Sequence, residues 1–142
     1  ARSTDFNMQQ NETPSDGVIT GYGIIDGNLV YVYSQDASGL GGTIGEMHAK
    51  KIVGLYDLAM KMGAPVIGLI DCAGLRLQEA TDALNAFGEI YMKQALASGV
   101  IPQITAIFGF SKRTGRKQRI KMRYCFCKIP EQRDRSCRCF RK

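Results

Sequence analysis

The chain has 142 residues, enough for one domain with a real hydrophobic core. Its hydrophobic fraction of 44% is ordinary for a globular protein, and no apolar run approaches a membrane span or a signal-peptide centre. The expectation is a soluble, cytoplasmic protein with no direct membrane contact. The formal net charge of +6 conceals two compositions. Residues 110–142 carry 13 Lys/Arg against 2 Asp/Glu, net +11, and residues 1–109 carry 6 against 11, net −5. Cys125, Cys127, Cys137 and Cys139 fall in the basic part, and Cys72 stands alone in the acidic part. Whole-chain charge therefore identifies no partner.

Residues 1–16 are polar and read as a frayed lead-in. Val18–Ile25 and Leu29–Tyr33 are rich in Val, Ile and Tyr, and Asp26-Gly27-Asn28 between them is a hairpin signal. The stretch SQDASGLGGTIG, Ser34–Gly45, places Gly39, Gly41, Gly42 and Gly45 in a loop whose backbone can approach a ligand closely. It fits neither a P-loop nor a dinucleotide fingerprint, so taken alone it reads first as a flexible connection. Glu46–Met62 has an apolar stripe at Met47, Ile52, Leu55, Tyr56 and Ala59, with Gly63 as its stop. His48, the only histidine, has no second ligand for a metal and no Ser/Asp partners for a triad. It reads as a satisfied helix residue, and no metal site is expected.

Val66–Ile70 is a short buried strand that ends in Asp71-Cys72-Ala73-Gly74. A second helix is expected from about Leu75 to Ser98, with Glu79 in its first turn and Leu77, Ala80, Leu84, Phe87, Tyr91 and Ala95 on one face. A strand feeding a small-residue turn and a helix N-terminus leaves backbone N–H groups that suit a developing negative oxygen, although an ordinary βα junction has the same outline. Gln103–Phe108 reads as a further strand. The order β-β-α-β-α-β makes an α/β fold with parallel crossovers over residues 17–109.

Residues 110–142 show no sustained period and too few aliphatics for a core. Three readings compete: a basic segment contacting nucleic acid or anionic surfaces, two Cys-x-Cys pairs chelating zinc, or a frame-shifted or misjoined segment. The abrupt turnover at Gly109, where the domain should continue, favours the third.

Four blocks in order, DGVITGYGIIDGNLVYVYSQD, GLGGTIGEMHAKKI, APVIGLIDCAGLRLQEA and LASGVIPQI, closely resemble the carboxyltransferase subunits of biotin-dependent acyl-CoA carboxylases and decarboxylases. The resemblance covers about residues 16–109 and implies the start of a crotonase-like ββα spiral, incomplete here, followed by an irregular basic tail. It implies carboxyl transfer between carboxybiotin and the α-carbon of an acyl-CoA, in either the carboxylase or the decarboxylase direction. Biotin would be carried on a partner carrier protein or domain, and other carboxyltransferase subunits would complete the site. The same resemblance implies that this chain alone is inactive. By position in the family's D-S-G-G-A-R block, the backbone N–H groups of Ala73 and Gly74 would form the oxyanion hole. Gly41, Gly42 and Arg76 would lie at the acyl-CoA site, with Arg76 and Glu79 expected to hold the turn and helix start rather than perform chemistry. Cys72 stands where the family has serine and is not expected to be a nucleophile. The reading kept beside this one is a non-catalytic binding module with a basic tail, although nucleic acid is not the expected partner.

Overall fold

A computed structural model describes residues 14–108 and the backbone of residues 121–125. A 3-10 turn at Pro14–Gly17 leads into β1 (Val18–Ile25), followed by β2 (Asn28–Gln35), α1 (Glu46–Met62) and β3 (Val66–Ile70). A 3-10 turn at Leu77–Glu79 then precedes α2 (Ala80–Ala97), β4 (Gln103–Ile107) and β5 (Lys121–Cys125). The five strands form one sheet in the order β1-β2-β3-β4-β5. β2, β3 and β4 run parallel, and β1 and β5 close the two sides as antiparallel partners. The expected β-β-α-β-α-β core is present. The tail, expected to be irregular, contributes β5: its Lys-Met-Arg-Tyr-Cys alternation has the period of a strand and pairs with the outer edge of β4. The remaining residues of 1–13 and 109–142, and the side chains of the four tail cysteines, lie outside the described residues.

Local chemistry accounts for the element boundaries. Ile25 pairs with Asn28, so the hairpin loop is the two residues Asp26 and Gly27, both at positive φ. That is the Asp-Gly preference of a type I′ turn. α1 ends in a Schellman closure: Gly63 sits in the left-handed region, and the Ala64 N–H donates to the Ala59 carbonyl at 3.0 Å.

The core lies between the sheet and the helices, with α1 packed on β1, β2 and α2. Ile52, Leu55, Tyr56 and Ala59 of α1 are buried as expected, while Met47 is only half-buried and His48 is fully buried. In the cross-strand pair Tyr33–Gly68 the tyrosine ring fills the space a side chain at Gly68 would need. α2 overturns its expected face. Leu77, Leu84 and Tyr91 are 80%, 63% and 61% exposed, and the buried residues of the helix are Ala83, Ala86, Ile90 and Ala97. The buried side of the helix is thus mostly small, and it packs against α1. Among the described residues no helix is long and apolar enough to cross a membrane.

The start of α2 also differs from the expectation. Leu75 forms a parallel bridge with Ile44, and Arg76 after it is extended. The helix therefore begins at Ala80 rather than at about Leu75. Ala80 has φ 43° and ψ −114°, a conformation that suits glycine and crowds a Cβ. Ala80→Gly is expected to stabilise the chain by about 1 kcal/mol in urea unfolding; a lower midpoint would contradict the assigned backbone.

His48 joins three segments. Its Nδ1 lies 2.9 Å from the Asp16 carbonyl oxygen, which can only accept, so Nδ1 carries the proton. Nε2 then accepts from the Gln35 amide at 3.0 Å. The imidazole is thus a neutral core group, as the sequence suggested. Burial pushes its pKa down to about 4, against a partial pull upward from the Asp16 carbonyl and carboxylate and a further push downward from Arg76 and Lys51. The native state therefore binds fewer protons at this site than the unfolded chain does below pH 6.5. The stabilisation is full above that value and is lost as pH falls toward the native pKa. Unfolding free energy should drop by about 2 kcal/mol from this group between about pH 7.5 and about pH 5; an unchanged urea midpoint across that window would contradict it.

Candidate functional site

β3 runs out at Ile70 into the turn Asp71–Arg76, and the glycine loop of residues 39–45 folds directly against it. Three backbone hydrogen bonds close the contact. The Ala73 N–H donates to the Gly41 carbonyl at 3.1 Å, the Ile44 N–H to the Gly74 carbonyl at 2.9 Å, and the Arg76 N–H to the Ile44 carbonyl at 2.9 Å. Leu40, Gly41 and Gly42 all have positive φ, which curls the loop tightly enough to lie flat on the turn. Gly42 is required there: a Cβ on it would stand 2.2 Å from the Asp71 carbonyl oxygen. Gly41 and Ala73 lie on the exposed rim of this contact, their side-chain positions adjacent.

Beneath the turn, Arg76 is fully buried. One Nη1 donates to Asp16 Oδ1 at 2.7 Å and to Glu79 Oε1 at 2.9 Å. Nη2 donates to the Thr43 carbonyl at 3.0 Å, and Nε reaches Thr43 Oγ1 at 3.4 Å. The second oxygen of Glu79 accepts the first amide of α1, Glu46 N–H, at 2.6 Å. The N-cap of α1 is Gly45, which has no side chain to offer. Glu79 supplies the missing cap from 33 residues further along, at the positive end of the helix dipole. Gly45 must be glycine for this, since a Cβ would lie 2.5 Å from Arg76 Nη1 and 2.6 Å from Glu79 Oε2.

The sequence-predicted residues thus gather in one place with altered roles. Gly41, Gly42, Ala73, Gly74 and Arg76 meet at the junction of loop and turn. Burial and its polar partners commit the Arg76 guanidinium to the interior, where it holds the turn. Gly42 is likewise buried with its N–H donating to the Gly39 carbonyl at 2.8 Å. The Ala73 N–H is occupied by Gly41, so it is not a free donor. Nor does a helix N-terminus adjoin Ala73 and Gly74, because α2 starts six residues beyond Gly74. The Gly74 N–H points at Cys72 Sγ, 3.2 Å away. Sulfur is a weak acceptor, so this donor is the one a stronger oxygen acceptor can claim. Gly74 has φ 120°, which only glycine adopts without strain, and open space where a side chain would be. Burial pushes the Cys72 thiol pKa up, with smaller downward contributions from the Gly74 and Ile44 backbone, and the thiol is protonated and unreactive at neutral pH.

Sequence reasoning missed Asp16 and Thr43. No local signal marks them, since Asp16 lies 60 residues and Thr43 33 residues from Arg76 in the chain. An open groove of about 290 Å³ between β1 and α1, lined by Thr20, Tyr22, Tyr31, Lys51 and Leu55, includes none of the turn residues. Among the described residues no cluster of His, Cys, Asp and Glu could hold a metal ion.

Comparison with known proteins gives this arrangement a family. The carboxyl transferase domain profile matches residues 1–115. The alpha subunit of methylmalonyl-CoA decarboxylase from Propionigenium modestum is 53% identical over 108 residues, which cover 76% of this chain and 21% of that protein. The propionyl-CoA carboxylase beta chain of Roseobacter denitrificans is 52% identical over the same share of each. The chain therefore spans about a fifth of the length of these relatives. Among solved structures, transcarboxylase 12S, described as a hexamer with methylmalonyl-coenzyme A bound, superposes with a TM-score of 0.72 at 38% identity, covering 75% of this chain and 21% of that one. A Pseudomonas malonate decarboxylase hetero-tetramer gives 0.65 at 27% identity, covering 72% and 40%. With the profile matched over most of its length, this chain is a member of the carboxyl transferase domain family.

Proposed function

We propose that residues 14–108 form the acyl-CoA side of a biotin-dependent carboxyltransferase, in which a carboxyl group moves between carboxybiotin and the α-carbon of an acyl-CoA. The observation that carries this reading is the Gly74 N–H, held at the rim of the loop–turn junction against nothing stronger than a thiol. Removing or adding a carboxyl group at the α-carbon makes the thioester oxygen an enolate. A fixed N–H 3 Å or so from that oxygen lowers the barrier because it needs no reorganisation as charge appears. Ala73 can add a second donor only by releasing Gly41. The exposed backbone at Gly41 is the surface on which the CoA arm would lie.

Biotin carried on a partner protein or domain would supply the carboxyl group in the carboxylase direction and accept it in the decarboxylase direction. This chain's own contribution is to place the thioester oxygen and keep the donor rigid. Further carboxyltransferase subunits are the expected partners, as the 12S hexamer suggests by likeness. The protonated Cys72 performs no covalent step; its sulfur holds the Gly74 amide until substrate replaces it. The reading covers both directions of transfer.

The test is a segment exchange. Residues 14–108 replace the matching stretch of the Propionigenium modestum methylmalonyl-CoA decarboxylase alpha subunit, within its complex. The chimera should decarboxylate methylmalonyl-CoA, and Gly74→Ala in it should lower kcat about 100- to 1000-fold with KM changed only slightly. An active chimera whose kcat ignores Gly74→Ala would overturn the assigned donor.

A further inference from the structure

The Gly74 N–H is only as good a donor as its position is fixed, and the turn that carries it has little of its own to fix it. Ala73 is exposed, Gly74 is at φ 120°, and no helix begins until Ala80. Three backbone hydrogen bonds tie it to the glycine loop, and a buried ion-pair cluster holds loop and turn together from below. Arg76 joins three pieces of chain that meet nowhere else in sequence: Asp16 before β1, Thr43 in the glycine loop, and Glu79 after the turn. Glu79 then ties that guanidinium to the first amide of a 17-residue helix. We propose that Arg76 and Glu79 are positioning residues for the Gly74 donor, acting through the turn without touching substrate. The proposal rests on the reading of Gly74 given above.

The chemistry requires a carboxylate at residue 79. Its two oxygens face two donors, Arg76 Nη1–H on one side and Glu46 N–H on the other. A glutamine of the same shape sets its amide N–H₂ against one of those donors, so either the helix or the arginine is released. A shorter aspartate keeps the charge but spans less of the gap. Removing Arg76 itself would strand two buried carboxylates and endanger the whole fold, which makes residue 79 the better probe.

The experiment is amide hydrogen exchange on the ligand-free, ¹⁵N-labelled full chain, as wild type, Glu79→Gln and Glu79→Asp. Because no acyl-CoA is present, its outcome is independent of whether the carboxyltransferase reading survives. In both variants the amides of Ile44, Glu46, Ala73 and Arg76 should exchange about tenfold faster or more, and the Gly74 resonance should shift. Amides of β2 and β3 should stay within about twofold of wild type. Equal acceleration everywhere, or loss of the fold in both variants, would make the pair a global anchor and overturn the positioning role. No acceleration at the four amides would overturn it as well.

Discussion

A single guanidinium organises this fold. Arg76 is buried with hydrogen bonds to two carboxylates, a carbonyl and a hydroxyl, and those acceptors come from three segments: Asp16 before β1, Thr43 in the glycine loop and Glu79 after the turn. A buried charge of this kind contributes little net stability compared with an apolar core of equal volume, but losing one partner is costly, of order 3–5 kcal/mol. Its effect is on specificity of arrangement. With Arg76 in place, the loop at residues 39–45 and the turn at residues 71–76 have one mutual register. That register forces glycine at positions 42 and 45, where any Cβ would collide with Asp71 or with the ion pair. The glycines of the loop thus have two distinct causes. Gly42 and Gly45 serve close packing, while Gly41 stays at the surface and is free to face a ligand.

The same arrangement explains how the chain can lack a side-chain cap on α1. Glu79 stands in for it across the fold, so helix, loop and turn are coupled through one carboxylate. His48 gives the region a second tie. It binds the main chain at Asp16 and the side chain of Gln35, and so holds the segment that delivers Asp16 to Arg76. Burial keeps that imidazole neutral at physiological pH, and the fold carries a built-in sensitivity to acid as a result.

Much of this architecture was legible in the sequence. α1 and β3 follow directly from apolar spacing and from the Gly63 stop, and the Asp-Gly hairpin from positive φ at two adjacent residues. The four resembling blocks pointed to the family that the comparisons show, and the structure brings the residues they single out together at the junction of loop and turn. What the sequence misplaced has physical reasons. Leu77, Leu84 and Tyr91 have helical spacing, so they read as a core face, but α2 packs on α1 through Ala83, Ala86, Ile90 and Ala97 instead. Leu75 reads as helical because nothing local reveals its bridge to Ile44, 31 residues earlier. Arg76 shows no partners in sequence because Asp16 and Thr43 lie 60 and 33 residues away. Long-range pairing decides each of these, and periodicity does not record it.

The central claim is that the Gly74 N–H is the donor for a substrate oxygen. The most direct measurement is a titration of the ¹⁵N-labelled full chain with propionyl-CoA, following backbone amides. The account predicts that Gly74 moves downfield as its partner changes from sulfur to a carbonyl oxygen, with Gly41 and Ala73 perturbed beside it and the groove residues Thr20 and Lys51 unmoved. Perturbation confined to the groove between β1 and α1, or a Gly74 amide indifferent to saturating ligand, would contradict it.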